Sequence, residues 1–413
     1  MTARPSSEVP GPATDGTKVP ATDPATDLIA GRPLGPGSVI GFVGLGNMGG
    51  PMAGRLAAAG FHVRAYDAAE TARDAAPAGV TITRGAAETA TDADAVILML
   101  PGSDAVEAVL HDPSLRGPGL MSDPGPGGVD PSGTGRDATR AGSTPTDDMD
   151  RDATHVGSTP MDDMDRDATH VGSTTVDDMD RDGTHVGSTA RDGMGLLAAL
   201  RPGAVVIDMS SSQPLRTREL AARAAERGIV LVDAPVSGGV KGAVDGTLTI
   251  MTGGAERDLA RVRPVLDVLG SRVLRLGPVG AGHAMKALNN LMSATHLLIT
   301  AEAMLAGERF GLDPEIMLTT VNTSSGRSGS TENKWPHFVL PGTFDSGFGL
   351  RLMLKDMRIA VELAQAIGVA PRLAQAAVDL WSDAAEHLPA TADHTEIARQ
   401  VAAASTAPAN CRR

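Results

Sequence analysis

Five short apolar-rich runs punctuate the first two-thirds of the chain: VIGFVGLG, HVRAYD, ADAVILMLP, GAVVIDMS and GIVLVDAPV. Stretches rich in Ala, Leu and Arg separate them. Strands alternating with helices predict a parallel sheet covered on both faces, an α/β architecture. After about Gly280 the pattern changes. Ala284 to Phe310 is a run of Ala, Leu, Met and Ile with no Pro and one late Gly, which predicts a long, largely buried helix. It should stop at Gly311, and Asp313 followed by Pro314 reads as the N-cap and first position of the next helix. Leu350 to Ile367 and Ala370 to Glu386 continue the helical pattern. Before them, the polar stretch NTSSGRSGSTENKWPHF, Asn322 to Phe338, is expected to be a loop lining a cleft.

Two further segments lack this patterning. Residues 1–37 are rich in Pro, Thr, Asp and Gly and predict a disordered tail, and 389–413 predicts a flexible one. From 112 to 193 the motif DDMDRDATHVGST begins at Asp147, recurs at Asp162 and recurs with one change at Asp177, a spacing of 15 residues. With one or two apolar residues per copy, stacking would bury little, so a disordered acidic insertion is expected. The motif Asp148, Asp150, Asp152 resembles the opening of a calcium loop, but Thr159 stands where a bidentate Glu would close it, and no metal site is predicted.

The net charge is −14, and the three full copies contribute nine of those negative charges. This balance argues against nucleic-acid or membrane partners, which call for a basic surface. One cysteine, Cys411, excludes an internal disulfide and fits a reducing cytoplasm, and no signal peptide or membrane span is expected.

The first strand run leads directly into Gly44-Leu45-Gly46-Asn47-Met48-Gly49, which is G-x-G-x-x-G, and then into the helix-like PMAGRLAAAG. In that context the first glycine makes the tight turn, the second lets backbone approach a diphosphate, and the third lets helix and strand pack closely. The second strand ends in Asp67, 23 residues after Gly44, where a carboxylate accepts hydrogen bonds from the adenosine ribose and repels a 2′-phosphate. NAD is therefore the expected cofactor. Arg64 and Arg73 nearby leave NADP open. The fold expectation becomes a Rossmann-type doubly wound sheet over 38–280, interrupted by the insertion, then an all-α domain over 281–388 beginning with the long interdomain helix.

Four blocks in this order, GFVGLGNMGGPMAGRL, DAPVSGGVKGAVDGTLTIMTGG, GAGHAMKALNN and LMLKDMRIA, resemble the β-hydroxyacid dehydrogenase family, which includes 3-hydroxyisobutyrate dehydrogenase and tartronate semialdehyde reductase. The resemblance covers about 38–111 and 194–388; the repeat insertion departs from it. It implies an oxidoreductase acting on a small β-hydroxy acid. Asn47, Met48 and Asp67 would lie at the dinucleotide, with Leu100, Pro101 and Ala105 beside it. Ser211 would lie near the nicotinamide ribose. Ser237, Gly238 and Gly239 would clamp the substrate carboxylate, Lys286 would be the catalytic lysine, Asn290 would orient the substrate, and Lys355 would lie on the cofactor side. A homodimer or homotetramer is expected.

Chemistry supports these roles. Hydride transfer from an alcohol requires a group that takes the hydroxyl proton, and Lys286, one of only five lysines, lies at the start of an apolar helix with Asn290 four residues on. Glycines after Ser237 would expose backbone N–H groups to a carboxylate. An ion pair of Lys355 with Asp356 is its competing, structural role. One alternative is an NAD(P)H-dependent reductase of tartronate semialdehyde or a related aldehyde acid. Another is a non-catalytic dinucleotide-binding module, which an intact Lys286 opposes. A 6-phosphogluconate dehydrogenase-like enzyme would need a phosphate pocket, to which Arg327 and Lys334 are the candidates, but the extra helical domain of that group is missing.

Overall fold

The computed structural model describes residues 32–110 and 195–406. The repeat insertion therefore lies outside the described residues, as do most of the expected N-terminal tail and 407–413. The six strands β1 (Val39–Val43), β2 (His62–Tyr66), β3 (Val80–Ile82), β4 (Ala95–Leu98), β5 (Val205–Asp208) and β6 (Val230–Asp233) form a parallel array in the order β3-β2-β1-β4-β5-β6. Every residue of β4 and β5 is buried, as their unbroken apolar runs require. Helices α1 (Gly49–Ala58), α2 (Glu70–Asp74), α3 (Ala86–Thr89), α4 (Ser103–Leu110), α5 (Leu196–Ala199) and α6 (Pro214–Glu226) connect these strands. The order reverses between β1 and β4, the point at which open α/β sheets bind ligands beyond their strand ends.

The sheet continues past the five predicted strands and changes direction. After β7 (Val236–Ser237) and α7 (Gly239–Asp245), strand β8 (Leu248–Gly253) joins antiparallel to both β6 and β7. Helix α8 (Glu256–Leu269) then leads to β9 (Gly270–Gly277), which runs parallel to β8. Leu34, expected in the disordered tail, is buried instead, and its N–H donates to the Arg261 carbonyl at 2.9 Å. Leu34 therefore belongs to the sheet domain rather than to the tail that the composition predicts.

The long helix α9 spans Ala281–Phe310, 30 residues or about 45 Å. Gly280 and Gly311, at φ 86° and 100°, bracket it in the left-handed conformation. Asp313 caps α10 (Pro314–Asn322), its Oδ1 accepting from the Glu315 and Ile316 amides at 3.0 Å each, with Pro314 first in the helix. The Asn322–Phe338 stretch, expected as a loop, runs into a π-helix over Ser330–Val339. The Leu340 N–H reaches the Trp335 carbonyl five residues back at 2.8 Å, and Pro336 within the turn has no N–H to donate. Helices α11 (Leu350–Ala366) and α12 (Arg372–His387) follow.

The expected flexible tail from 389 is a correction. Residues His394–Glu396 form a 3-10 turn, and α13 covers Ile397–Thr406. Asp393 and Glu396 make a reciprocal capping box, and Ala392, Thr395 and Ile397 are buried. The segment looks polar in sequence because its few apolar residues are spent on one seam against α9. The helical core gathers Leu297, Ala301 and Met304 of α9, Met357 of α11 and Trp381 of α12, all nearly solvent-free.

Candidate active site

The turn from β1 into α1 has the crowding that the three glycines imply. Gly44 adopts φ 100°, and a side chain there would strike the Met99 carbonyl. A Cβ on Gly49 would strike the Gly44 carbonyl, whereas one on Gly46 meets nothing within 4 Å. The middle glycine thus faces open space, as close approach of a diphosphate to the backbone would require. Beyond it, α1 has Met48 as its N-cap residue and no side-chain cap, leaving its N-terminal amides to an anion, with Asn47 in the turn before it. Asp67 ends β2 with Oδ2 accepting from the Leu45 N–H at 2.6 Å and Oδ1 accepting from Ala69 N–H at 2.8 Å. A carboxylate has about four lone-pair sites, so two remain for ribose hydroxyls. Arg73 donates to the Asp67 and Ala68 carbonyls, and Arg64 to the Thr91 carbonyl.

The loops after β4 and β5 converge beside this turn. The Leu100 N–H donates to Ser210 Oγ at 3.0 Å, and Ser103 Oγ accepts from the Gln213 amide at 2.7 Å. Pro101 is exposed between them, and Ala105 lies half-buried on α4. From α11, Lys355 Nζ donates to the Ser211 carbonyl at 2.7 Å and pairs with Asp356 at 2.9 Å. Lys355 therefore makes the expected pair with Asp356 and also reaches the loop that carries Ser211.

Helix α9 carries the candidate proton-transfer face, and buried carboxylates at the ends of strands fix its start. Asp233, at the end of β6, accepts from the Gly280 N–H at 2.7 Å and the His283 N–H at 2.9 Å. His283 Nδ1 lies 2.8 Å from Thr217 Oγ1, and its Nε2 lies 3.8 Å from Asp208 at the end of β5. Three residues on, Lys286 is 9% exposed, with Nζ 6.0 Å from the Phe348 ring centroid. Burial pushes its ammonium well below the ordinary lysine range; Asp356 opposes that shift and Lys355 adds to it. Asn290 Nδ2 donates to Asp356 Oδ2 at 2.6 Å, one turn along the same face.

Asn290, Asp356, Lys355 and Ser211 thus form one chain of contacts, and Lys286 lies one turn before Asn290 on α9, within reach of the Asp356 charge. Ser237, Gly238 and Gly239 lie at the β7–α7 turn, two strands from β6 and next to β8, against which α9 packs. Gly238 and Gly239 adopt φ 134° and 63°, and both are exposed. Sequence reasoning did not single out Asp208, Asp233 and His283, nor Asp356 as the shared acceptor. The signal was present in VVID and VLVD, where a carboxylate closes a fully apolar strand and must find donors inside.

A sheet that switches direction around a glycine turn, joined to a helix bearing a buried lysine and amide, defines a nicotinamide-dependent hydroxyacid dehydrogenase. Two family models match the chain: the NAD binding domain of 6-phosphogluconate dehydrogenase over 39–129 and 155–277, and the NAD-binding domain of NADP-dependent 3-hydroxyisobutyrate dehydrogenase over 280–401. An NAD-dependent L-serine dehydrogenase of Pseudomonas aeruginosa is 31% identical over 349 residues, covering 83% of this chain and 90% of that one. A 2-(hydroxymethyl)glutarate dehydrogenase of Eubacterium barkeri is 45% identical over 168 residues, 41% of this chain and only 56% of that protein's length. The structure of a Mycobacterium tuberculosis 3-hydroxyisobutyrate dehydrogenase with L-serine superposes at a TM-score of 0.65 with 27% identity, covering 88% of this chain and 99% of the other. The chain belongs to the β-hydroxyacid dehydrogenase family. Among the described residues no helix is long and apolar enough to cross a membrane.

Proposed function

We propose that this enzyme oxidises HOCH2–CH(R)–COO⁻ acids, with Lys286 Nζ as the group that takes the hydroxyl proton. The substrates named in its relatives, L-serine, 3-hydroxyisobutyrate and 2-(hydroxymethyl)glutarate, share this frame and differ only in R. Bound NAD supplies the hydride acceptor. Lys286, neutral when the alcohol binds, accepts the O–H proton as the carbon loses hydride, and returns it in the reverse direction. Asn290, its amide nitrogen held by Asp356 and its carbonyl oxygen accepting from Asn289 Nδ2 at 3.3 Å, orients the substrate through the second lone pair of that oxygen. Ser237 Oγ and the Gly238 and Gly239 amides receive the carboxylate. The observation that carries the reading is the burial of Lys286 on one helix face with Asn290.

NAD is preferred over NADP. Asp67 puts a negative charge where a 2′-phosphate would lie, and Arg64 and Arg73 are engaged with backbone carbonyls. The chain works as a homodimer or homotetramer, a reading supported by Met285, Leu288, Met292 and Ile299, exposed in one stripe along α9. Its single cysteine supports a cytoplasmic site of action. The test is nicotinamide absorbance with NAD and NADP across acids of this frame, run in both directions with tartronate semialdehyde included. Lys286→Ala should cut turnover about 100-fold or more while NAD still binds. Retained turnover in that variant would remove Lys286 from the chemistry.

A further inference from the structure

Resting on the reading above, we infer that Lys334 forms a second anion subsite in the substrate cleft, selecting acids whose R group ends in a carboxylate. Four lysines fall within the described residues. Lys241 pairs with Asp245, Lys355 pairs with Asp356, and Lys286 is the proton-transfer group. Lys334, on the π-helix, has no such account. It is partly buried, and among the described residues no carboxylate lies at ion-pairing distance from it. Its Nζ donates instead to Ser293 Oγ at 2.6 Å, with the Ser293 carbonyl at 3.4 Å.

The position of Ser293 makes this informative. At 100° per residue, Lys286, Asn290 and Ser293 fall within an arc of about 60° on α9, and the last is about 10 Å further along the axis than the first. The face that presents the lysine and the orienting amide therefore ends in a hydroxyl that steers a cation toward it. A substrate reaching along that face from its hydroxyl meets the Lys334 ammonium at its far end.

Asp393 is the nearest competing charge, and it is already satisfied. Its oxygens accept from Ser346 Oγ, the Gly347, Phe348 and Thr395 amides and Thr395 Oγ1. Burial lowers the Lys334 pKa to about 8 against the opposing pull of Asp393, so the ammonium is costly to hold without an anion beside it. A carboxylate is the fitting anion. One ammonium matches one negative charge, whereas a doubly charged phosphate would need a second cation, and Arg327 is exposed and faces Glu332 instead.

The experiment compares two acids, R = carboxyethyl and R = propyl, with the full-length protein and NAD. Wild type should favour the carboxyethyl acid at least 10-fold in kcat/KM. Lys334→Met should lower kcat/KM for that acid by about 10- to 100-fold, through KM, leaving the propyl acid unchanged; Lys334→Arg should restore part of the preference. No preference in wild type, or an equal loss for both acids in Lys334→Met, would overturn the subsite. A parallel titration of the NAD-loaded protein with glutarate and with butyrate keeps the question separate from turnover. Glutarate should bind tighter, and only glutarate should weaken in Lys334→Met. If neither acid is oxidised yet this binding pattern holds, the proposed reaction fails and the subsite stands. Equal binding of glutarate and butyrate, or displacement of glutarate by inorganic phosphate at matched concentration, overturns the carboxylate subsite.

Discussion

Removing the Asp233 carboxylate should loosen the helix that carries Lys286. Asp233 is fully buried and accepts from two amides of the first turn of α9, at 2.7 and 2.9 Å. A hydrogen bond to a charged acceptor contributes about 1.5–3 kcal/mol, so Asp233→Ala removes about 3–6 kcal/mol and leaves both donors unpaired in the interior. A water entering the space would bring the loss toward the lower end. Asp233→Asn keeps one acceptor oxygen but turns an NH2 toward a donor, and should lose about half as much. Urea unfolding measures the stability change, and amide exchange at Gly280 and His283 locates it. Because Lys286 lies three residues beyond His283, kcat should fall in Asp233→Ala even though Asp233 touches no reacting atom. A stability loss below about 1 kcal/mol, or unchanged exchange at those two amides, would refute the assignment of Asp233 as the anchor of this helix.

Other outcomes follow from the same geometry. Gly49→Ala pushes a methyl into the Gly44 carbonyl and should lower stability by about 1–3 kcal/mol, whereas Gly46→Ala, which faces open space, should keep its melting temperature and weaken NAD in a fluorescence titration. Because the Lys286 pKa is lowered, oxidation should rise and reduction should fall with pH through one shared inflection below 10.5, absent from the Lys286→Ala profile. At Asp393, burial favours the protonated form, but hydrogen bonds from His394, Thr395 and Ser346 outweigh it and hold the carboxyl well below the usual range. Its stabilisation is therefore full above the unfolded carboxyl pKa of about 4 and is lost as pH falls further, so Asp393→Asn should flatten the acid limb of a denaturation curve.

What the sequence disclosed was local or periodic. The glycine turn, the Gly311 stop and the Asp313-Pro314 start each depend on residues within a few positions of one another, and their geometry follows the residue types. Four of the five strands were legible because they are buried and apolar, and β2 because it alternates buried with more open positions. The antiparallel extension was not, since β9 is mostly exposed and carries no apolar run, while β8 is specified by pairing with strands on either side of it. At the site, Lys286 and Asn290 share a helix face by spacing alone. The placement of Lys334 depends on Ser293, 41 residues earlier, and that of Asp356 on Asn290, 66 residues away. Such partners meet only through packing. The helix after His394 was hidden for the same reason, its seam being supplied by α9.

Helix α9 joins the sheet to the helical core. At one end it is fastened to Asp233 of β6 and packs against β8, and further along Leu297, Ala301 and Met304 form the middle of the helical core. Neither core can melt while this shared rod stays ordered, and losing the rod strips both. The described residues should therefore unfold in a single calorimetric transition, with an enthalpy set by their combined length rather than by two smaller halves. Thermal inactivation and global unfolding would then coincide, with no intermediate that keeps a folded nucleotide fold but a misplaced lysine.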